Sequence, residues 1–294
     1  MSSGEEEFSS LGDRWAAADE EKINAAAWDR MANLAHPLAQ PAKDDELRRP
    51  LEVVDEVGWL GGDIRGWRVL ALAAGGGRHS ALYASAGADV TVVDLSPGML
   101  ELDRRVAAER KLSVRLIQAS MVSMPMLEDA AFDLVIHPVS TCYVKQPLPV
   151  FREVARVLRP GGLYISQHKQ PMNLQASLEP LGGKYRIDHP AGSGVAVDSP
   201  VGPSRLREPG TMEFAHSLES ILGGICRAGM VIEDIREPQH GKPDQPIGSF
   251  AHRCQFIAPY LRIKARRSPA GQGGGVDGWA MVLQQQKIWT PGSR

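Results

Sequence analysis

Residues 69–80 read Val-Leu-Ala-Leu-Ala-Ala-Gly-Gly-Gly-Arg-His-Ser, and the rest of the chain is organised around them. An apolar run with strand character ends in three consecutive glycines, and a segment with helical character follows over residues 78–86. Glycines let the backbone turn tightly and approach a ligand, because no Cβ atom intervenes. Free amides at the start of the helix are then expected to face that ligand. The pattern predicts a nucleotide-binding crevice, and a plain tight turn is the alternative.

An acidic residue follows the next predicted strand, which covers residues 89–93. Asp94 lies 17 residues after Gly77. This is close to the interval of about 20 residues at which such folds place an acid on the ribose hydroxyls. Asp94 also precedes Ser96 and Pro97, which are residues typical of a helix start, so it has a second interpretation as a helix cap. We predict the ribose role, and the two roles are compatible.

Strands and helices alternate through the middle of the chain. The predicted strands cover residues 68–73, 89–93, 113–117, 132–137 and 162–167, and the predicted helices between them cover residues 78–86, 97–110 and 147–158. Such alternation indicates an α/β fold in which parallel strands are joined by right-handed crossovers.

Four segments, in order and spacing, resemble the class I S-adenosylmethionine-dependent methyltransferases, of the small-molecule type with a methyltransferase-11-like domain. They are residues 69–77, 90–100, 132–136 and 158–162, and the resemblance spans roughly residues 65–170. It implies a Rossmann-like, doubly wound fold with a seven-stranded, mostly parallel sheet, a reversed C-terminal strand and an N-terminal helical cap.

The resemblance also implies S-adenosyl-L-methionine as the cofactor and a set of residues that contact it. At the start of the glycine motif the family usually carries an acid and, two places later, a glycine, where this chain has Ala71 and Ala73. This departure removes a polar contact near the amino acid end of the cofactor. The cofactor-binding residues implied are Ala73, Gly75, Gly77, Asp94, Leu95, Met99, Ser120, Met121 and His137.

Methyl transfer is an in-line displacement that needs alignment of the reacting atoms and, for some acceptors, a base. Open parallel sheets bind ligands at the carboxyl ends of their strands. His137 and His168 end the fourth and fifth predicted strands, and His216 opens a later helix, so these three are candidate bases. The alternative for each is a purely structural hydrogen bond. Trp28 and Tyr143 are candidate substrate contacts, and core packing is the alternative for Trp28.

Three units are predicted along the chain. Residues 1–57 form the helical cap, with helices over residues 13–38 and 44–57. Residues 58–267 form the methyltransferase domain, and residues 268–294 form a linker and tail. Within the domain, residues 169–212 are rich in proline and glycine and are predicted to be a substrate lid. A helix over residues 213–228 and strands over residues 230–235 and 259–264 are expected to follow it.

Composition limits the class of protein. The formal net charge is −2, which favours a small-molecule substrate over a nucleic acid, and no apolar run reaches the length of a membrane span. The three cysteines are widely spaced and match no zinc pattern, which predicts a cytoplasmic protein with no metal site. The oligomeric state is not indicated.

We therefore predict a methyltransferase acting on a small-molecule oxygen, nitrogen or carbon nucleophile. An NAD(P)-dependent oxidoreductase is one alternative, although Ser80 stands where close helix packing in that fold prefers Gly or Ala. A non-catalytic S-adenosylmethionine-binding module is the other alternative, suggested by Ala71 and Ala73.

Overall fold

The computed structural model of the chain describes residues 20–197, 204 and 206–269. The strands within this part are β1 (Arg68–Leu72), β2 (Asp89–Asp94), β3 (Val114–Gln118), β4 (Phe132–His137), β5 (Leu158–Lys169), β6 (Val195–Val197), β7 (Glu213–Ala215), β8 (Met230–Arg236) and β9 (Tyr260–Arg267). The α-helices are α1 (Glu20–Asn33), α2 (Asp44–Leu47), α3 (Pro50–Val54), α4 (His79–Ser85), α5 (Pro97–Arg110), α6 (Leu148–Val157), α7 (Pro171–Gln175), α8 (Gly224–Arg227) and α9 (Phe250–Arg253).

Seven strands form one twisted sheet in the order β3-β2-β1-β4-β5-β9-β8. The first five of these pair in parallel, and β9 pairs antiparallel with both β5 and β8. Only β9 is therefore reversed. This confirms the predicted mostly parallel, Rossmann-like sheet with a reversed C-terminal strand. A second, small sheet consists of β6 and β7.

The sheet carries apolar side chains on both faces, as expected for strands covered by helices on either side. In β1, Val69 and Ala71 pack in a cluster with Tyr83 of α4. The alternate residues Leu70 and Leu72 pack in a second cluster, which contains side chains of α6 and α8. A continuous apolar run in β1 thus follows from burial on both faces.

The helix predicted over residues 213–228 is wrong at its start. Residues Glu213–Ala215 form β7, which pairs with β6, and the helical turns begin only after Ser217. All three β7 residues are buried, and Glu213 is tied to Lys169 by an ion pair. The helix-like spacing of apolar residues is therefore overridden here by two long-range interactions. These are the pairing of β7 with β6 and the buried Lys169–Glu213 ion pair.

The N-terminal helices are shorter than predicted. Residues 44–57 form α2 and α3 rather than one helix, because Pro50 cannot donate the backbone hydrogen bond that would continue α2. The helix predicted over residues 13–38 is α1 in its described part, and residues 13–19 lie outside the described residues, as do residues 270–294 of the predicted tail.

Candidate functional site

A cleft opens at the carboxyl ends of β1, β2 and β4, the edge at which open parallel sheets bind ligands. The residues that line this cleft come from α1, from the loops after β1, β2, β3 and β4, and from the segment before α2. These residues are Glu21, Asn24, Ala25, Trp28, Leu38, Gln40, Ala73, Ala74, Gly75, Gly76, Arg78, His79, Val93, Asp94, Leu95, Ser96, Met99, Ala119, Ser120, Met121, Pro138, Val139, Ser140, Tyr143 and Val144.

Asp94 connects the end of β2 to the glycine loop, residues 73–77. Its Oδ2 atom accepts a hydrogen bond from the Gly75 amide at 2.9 Å, and its Oδ1 atom accepts one from the Ser96 amide at 2.9 Å. The N-cap of α5 is Ser96, whose hydroxyl accepts from the Met99 amide at 3.1 Å. Burial raises the pKa of Asp94, and its hydrogen bonds to the amides oppose that rise. The carboxylate is therefore placed on the cleft wall rather than at the helix cap.

Asp103, on α5, holds the same loop from behind. Its Oδ2 atom accepts from the Gly76 amide at 2.8 Å, and its Oδ1 atom accepts from the Gly77 amide at 3.0 Å and from the Ser80 hydroxyl. Asp103 is fully buried and does not line the cleft. The amides of the three glycines are thus engaged by two carboxylates of the protein, whereas the sequence led us to expect free amides here.

The two alanines of the glycine motif have different environments. Ala71 is fully buried within β1, between Val92 and Ile136 of the neighbouring strands. Ala73 lines the cleft and has a φ angle of 48°, in the left-handed region that favours glycine. At position 73, where the family usually has glycine, this chain therefore carries an alanine in a strained backbone conformation.

Helix α1 closes one side of the cleft through three polar anchors. Ser120 donates to Glu21 Oε1 at 2.5 Å, and the Gly98 amide donates to Asp29 Oδ1 at 2.9 Å. Between them, the buried Asn24 accepts from the Met212 amide at 2.7 Å and donates to the carbonyl groups of Met212 and Tyr143. The helix is thus attached to residues that follow β3 and β4, to the start of α5 and to the segment before β7.

The three candidate bases are buried, and none of them lines the cleft. The His137 ring nitrogens are hydrogen-bonded to Tyr164 at 2.8 Å and to Ser140 at 2.5 Å. Those of His168 are bonded to hydroxyl groups of Thr141 and Ser166, both at 2.8 Å. Burial lowers the pKa of His137 to about 3 and lowers that of His168 as well.

His216 is anchored in a similar way. Its Nε2 atom donates to the carbonyl groups of Thr141 and Val144, and its Nδ1 atom is 3.2 Å from the Ser193 hydroxyl. Burial also lowers the pKa of His216. His137 and His216 each bond one lining residue, Ser140 and Val144 respectively, whereas neither partner of His168 lines the cleft.

The two candidate substrate contacts both line the cleft. Trp28 and Tyr143 pack edge to face, with ring centroids 6.0 Å apart. Arg78 and His79, at the start of α4, also line the cleft. Glu46 holds the Arg78 guanidinium through two contacts of 2.7 Å.

A buried ion cluster lies beneath Tyr143. Lys169, the last residue of β5, contacts Glu208 at 2.6 Å and Glu213 at 2.7 Å. Burial alone would lower the pKa of Lys169, but the two carboxylates raise it. Burial raises the pKa of Glu213 to about 7, and the neighbouring Glu208 contributes to the rise. The cluster fixes residues 208–213 to the carboxyl edge of the sheet.

The comparisons with known proteins identify the family. A family model described as a methyltransferase domain matches residues 70–166. The methyltransferase YbaJ of Bacillus subtilis is 33% identical over 181 residues, which cover 60% of this chain and 71% of YbaJ. The chain belongs to the S-adenosylmethionine-dependent methyltransferases.

Two further relatives agree with this assignment. A demethylmenaquinone methyltransferase of Renibacterium salmoninarum is 36% identical over 120 residues, but these cover only 40% of this methyltransferase and 47% of that one. The crystal structure of an S-adenosylmethionine-dependent methyltransferase from Mesorhizobium loti is similar, with a TM-score of 0.53 and 22% identity. That similarity covers 76% of this chain and 96% of the other, and it shows a shared fold.

The cofactor of this methyltransferase is S-adenosyl-L-methionine, which supplies a methyl group on a sulfonium centre. The cleft fits such a molecule. A Cβ atom at Gly75 would lie 2.8 Å from the Cβ of Met99 and 2.9 Å from Asp94 Oδ2, so this position has no room for a side chain and the backbone itself forms the cleft wall. An ionised carboxylate has about four lone-pair sites, and Asp94 therefore retains acceptor capacity beyond its bonds to the amides of Gly75 and Ser96.

Among the described residues, no group of three or more His, Cys, Asp or Glu side chains is arranged to hold a metal ion. In the same part of the chain, none of the helices combines the length and apolar character needed to cross a bilayer.

Proposed function

We propose that this methyltransferase transfers a methyl group to an oxygen, nitrogen or carbon nucleophile of a small molecule, with Asp94 holding the ribose of the cofactor. The placement of Asp94 carries the proposal. Its carboxylate stands at the end of β2, on the wall of the cleft, beside the glycine loop. A carboxylate at this switch point of a parallel sheet is suited to a pair of ribose hydroxyls.

The other candidate cofactor residues divide by position. Leu95, Met99, Ser120 and Met121 line the cleft beyond Asp94, and we assign the adenine ring to this partly apolar region. Ala73 and Gly75 line it on the loop side, where we place the amino acid end. Gly77 and His137 do not line the cleft. Gly77 would act through the shape of the loop, and His137 would act through its hydrogen bond to Ser140.

The acceptor is assigned to the end of the cleft formed by Trp28, Pro138, Val139 and Tyr143. This end is apolar and aromatic, which suits a small molecule with an apolar or ring-containing body. With both ring nitrogens engaged and its pKa lowered, the buried His137 is a weak base. We therefore assign catalysis mainly to alignment of the acceptor with the methyl group.

The remaining features agree with a small-molecule acceptor. The net charge of −2 offers no electrostatic footprint for a nucleic acid. The demethylmenaquinone methyltransferase among the relatives is itself named for a small-molecule acceptor. The three cysteines are free, which is compatible with a reducing compartment, and we propose the cytoplasm as the place of action.

Transfer of a labelled methyl group tests the proposal. The protein is incubated with methyl-tritiated S-adenosylmethionine and, in separate reactions, with a panel of phenols, quinols, amines and stabilised carbon acids, with bulk RNA, and with denatured protein. We expect label in at least one small molecule and none in RNA or protein. Label confined to a macromolecule would contradict the proposed substrate class. Binding without transfer to any acceptor would favour a non-catalytic module.

A further inference from the structure

We propose that Asp103 is a positioning residue of the cofactor site: by holding the glycine loop from behind, it makes cofactor affinity depend on its own ionisation. The inference rests on the proposed placement of the cofactor in the cleft. It concerns a residue that does not touch the cleft, and nothing in the family motifs quoted above includes it.

The geometry gives Asp103 unusual control over the loop. Each carboxylate oxygen accepts from one loop amide, Oδ2 from Gly76 and Oδ1 from Gly77. The Ser80 hydroxyl, at the start of α4, donates to Oδ1 as well. Gly76 lines the cleft, so a side chain that fixes its amide also fixes part of the cleft wall. The Gly76 amide has one further acceptor, the Met99 carbonyl at 3.1 Å.

Protonation of Asp103 weakens this arrangement. An ionised carboxylate only accepts hydrogen bonds, whereas a protonated one carries an O–H donor on one oxygen. Oδ2 faces the Gly76 amide, so a proton on this oxygen would oppose a backbone donor, which cannot turn to accept it. A proton on Oδ1 can be donated to Ser80 only if that hydroxyl rotates to accept, and the protonated, uncharged carboxyl is then a weaker acceptor for the Gly77 amide. Protonation of Asp103 therefore weakens its hold on the glycine loop.

The groups around Asp103 place its titration in an accessible range. Burial raises its pKa to about 6, the donors of Ser80 and the loop oppose the rise, and the negative charge of Asp94 adds to it. On α4, the charge of Arg78 is paired with Glu46, and burial lowers the pKa of His79 to about 4. From α1, Asp29 is engaged by Ser96 and Gly98. On α5 itself, Glu101 and Arg104 are exposed and pair with each other.

The expected consequence is a loss of cofactor affinity in acid. If the protonated form does not bind, affinity for S-adenosylhomocysteine, a probe without a reactive methyl group, falls about tenfold between pH 7.5 and pH 5. Isothermal titration calorimetry measures this affinity. In buffers of different ionisation heat, it should also show that binding near pH 5.5 releases protons and that binding at pH 8 does not. This measurement needs no variant.

Variants then assign the effect to Asp103. Asp103→Asn should bind weakly and with the same affinity at every pH. Ser80→Ala removes a donor that favours the ionised form, so the midpoint of the pH profile should move upward. Glu101→Gln, an exposed acid on the same helix, is the matched control and should keep the parent profile.

Three results would overturn the inference. One is a parent affinity that is flat from pH 5 to pH 8. The second is a midpoint that stays unchanged in Ser80→Ala. The third is a pH dependence that survives in Asp103→Asn but disappears in Asp94→Asn, which would assign the titration to Asp94. A parent protein that binds no S-adenosylhomocysteine at any pH would instead contradict the proposed cofactor site, and the inference with it.

Discussion

We assign two functions to Asp94, one toward the loop and one toward the ribose. Asp94→Asn keeps the shape of the side chain but replaces one acceptor oxygen by an NH₂ donor. In the parent, each of these oxygens accepts from a backbone amide, so the new donor would face another donor. Loss of a charged partner for bound polar groups costs about 1–3 kcal/mol. We expect S-adenosylhomocysteine to bind about 5- to 150-fold more weakly, as measured by calorimetry. Asp89→Asn, at the exposed start of β2, should bind like the parent. Parent-like binding by Asp94→Asn would remove the ribose assignment.

Ala73 tests the energetic cost of the altered glycine motif. Its φ angle of 48° is a left-handed conformation that costs an alanine about 1 kcal/mol relative to glycine. Ala73→Gly should therefore raise the melting temperature by about 2–4 °C, despite the greater freedom of glycine in the unfolded chain.

Ala74→Gly is the matched control for that prediction. Ala74 is buried and is not among the residues with positive φ, so its replacement by glycine should lower the melting temperature. Calorimetry or circular dichroism measures the melting temperature of each variant. A lower melting temperature in both variants would show that position 73 is not strained.

The sequence revealed Asp94 but not Asp103, and the difference is physical. Asp94 ends an apolar strand at a spacing that is typical of ribose-binding acids, which is a local pattern. Asp103 acts on backbone amides 26 and 27 residues earlier in the chain, and such partners leave no residue pattern. A weaker signal was present: Asp103 shares the buried face of α5 with Met99, Leu100, Leu102 and Val106. An acid on an apolar helix face needs a buried partner.

At the scale of whole elements, helix α1 is the part of the cleft wall whose attachment is easiest to test. Asn24→Ala removes three buried hydrogen bonds and leaves the Met212 amide and carbonyl without this partner. An unsatisfied buried group costs about 1–3 kcal/mol. We expect faster amide hydrogen exchange in α1 and in residues 206–215, with exchange in β1 and β4 unchanged, and weaker cofactor binding.

The control for α1 is Lys22→Ala, a substitution on the same helix at an exposed position. It should leave the exchange pattern of residues 206–215 unchanged. Equal protection of these residues in Asn24→Ala and the parent would mean that α1 is held by apolar packing instead.

The elements differ in how far the sequence predicted them. The bounds of β4 and α5 were predicted without error, and those of β1, β2 and β3 to within one residue, because apolar strands and a Ser-Pro helix start are local signals. The helix predicted over residues 213–228 was wrong at its start, because β7 exists through its pairing with β6 and the contact of Glu213 with Lys169. Both interactions join residues far apart in sequence. The lid assigned to residues 169–212 stays a prediction.

At the scale of the whole molecule, the Lys169–Glu208–Glu213 cluster links pH to stability. The ordinary pKa of Glu213 is 4.5, and the folded state raises it to about 7. A carboxyl group with a raised folded-state pKa stabilises the fold fully below 4.5, and this contribution is lost as the pH rises through about 7.

Glu213→Gln removes that titration while keeping the side-chain shape. Its free energy of unfolding, relative to the parent, should therefore increase by about 2–3 kcal/mol from pH 5 to pH 8. Urea denaturation at both pH values measures this difference. Glu219→Gln, at an exposed position, should show no such change. A constant difference between Glu213→Gln and the parent would mean that Glu213 is ionised throughout this range.

We have proposed that the cofactor of this methyltransferase lies in the cleft with its ribose on Asp94, and a crystal structure of the complex with S-adenosylhomocysteine would show whether it does. We expect adenine beside Leu95, Met99 and Met121, both ribose hydroxyls within hydrogen-bond distance of the Asp94 carboxylate, and the amino acid end over the loop at Ala73 and Gly75. A ligand bound outside this cleft, or a ribose that makes no contact with Asp94, would overturn the proposal.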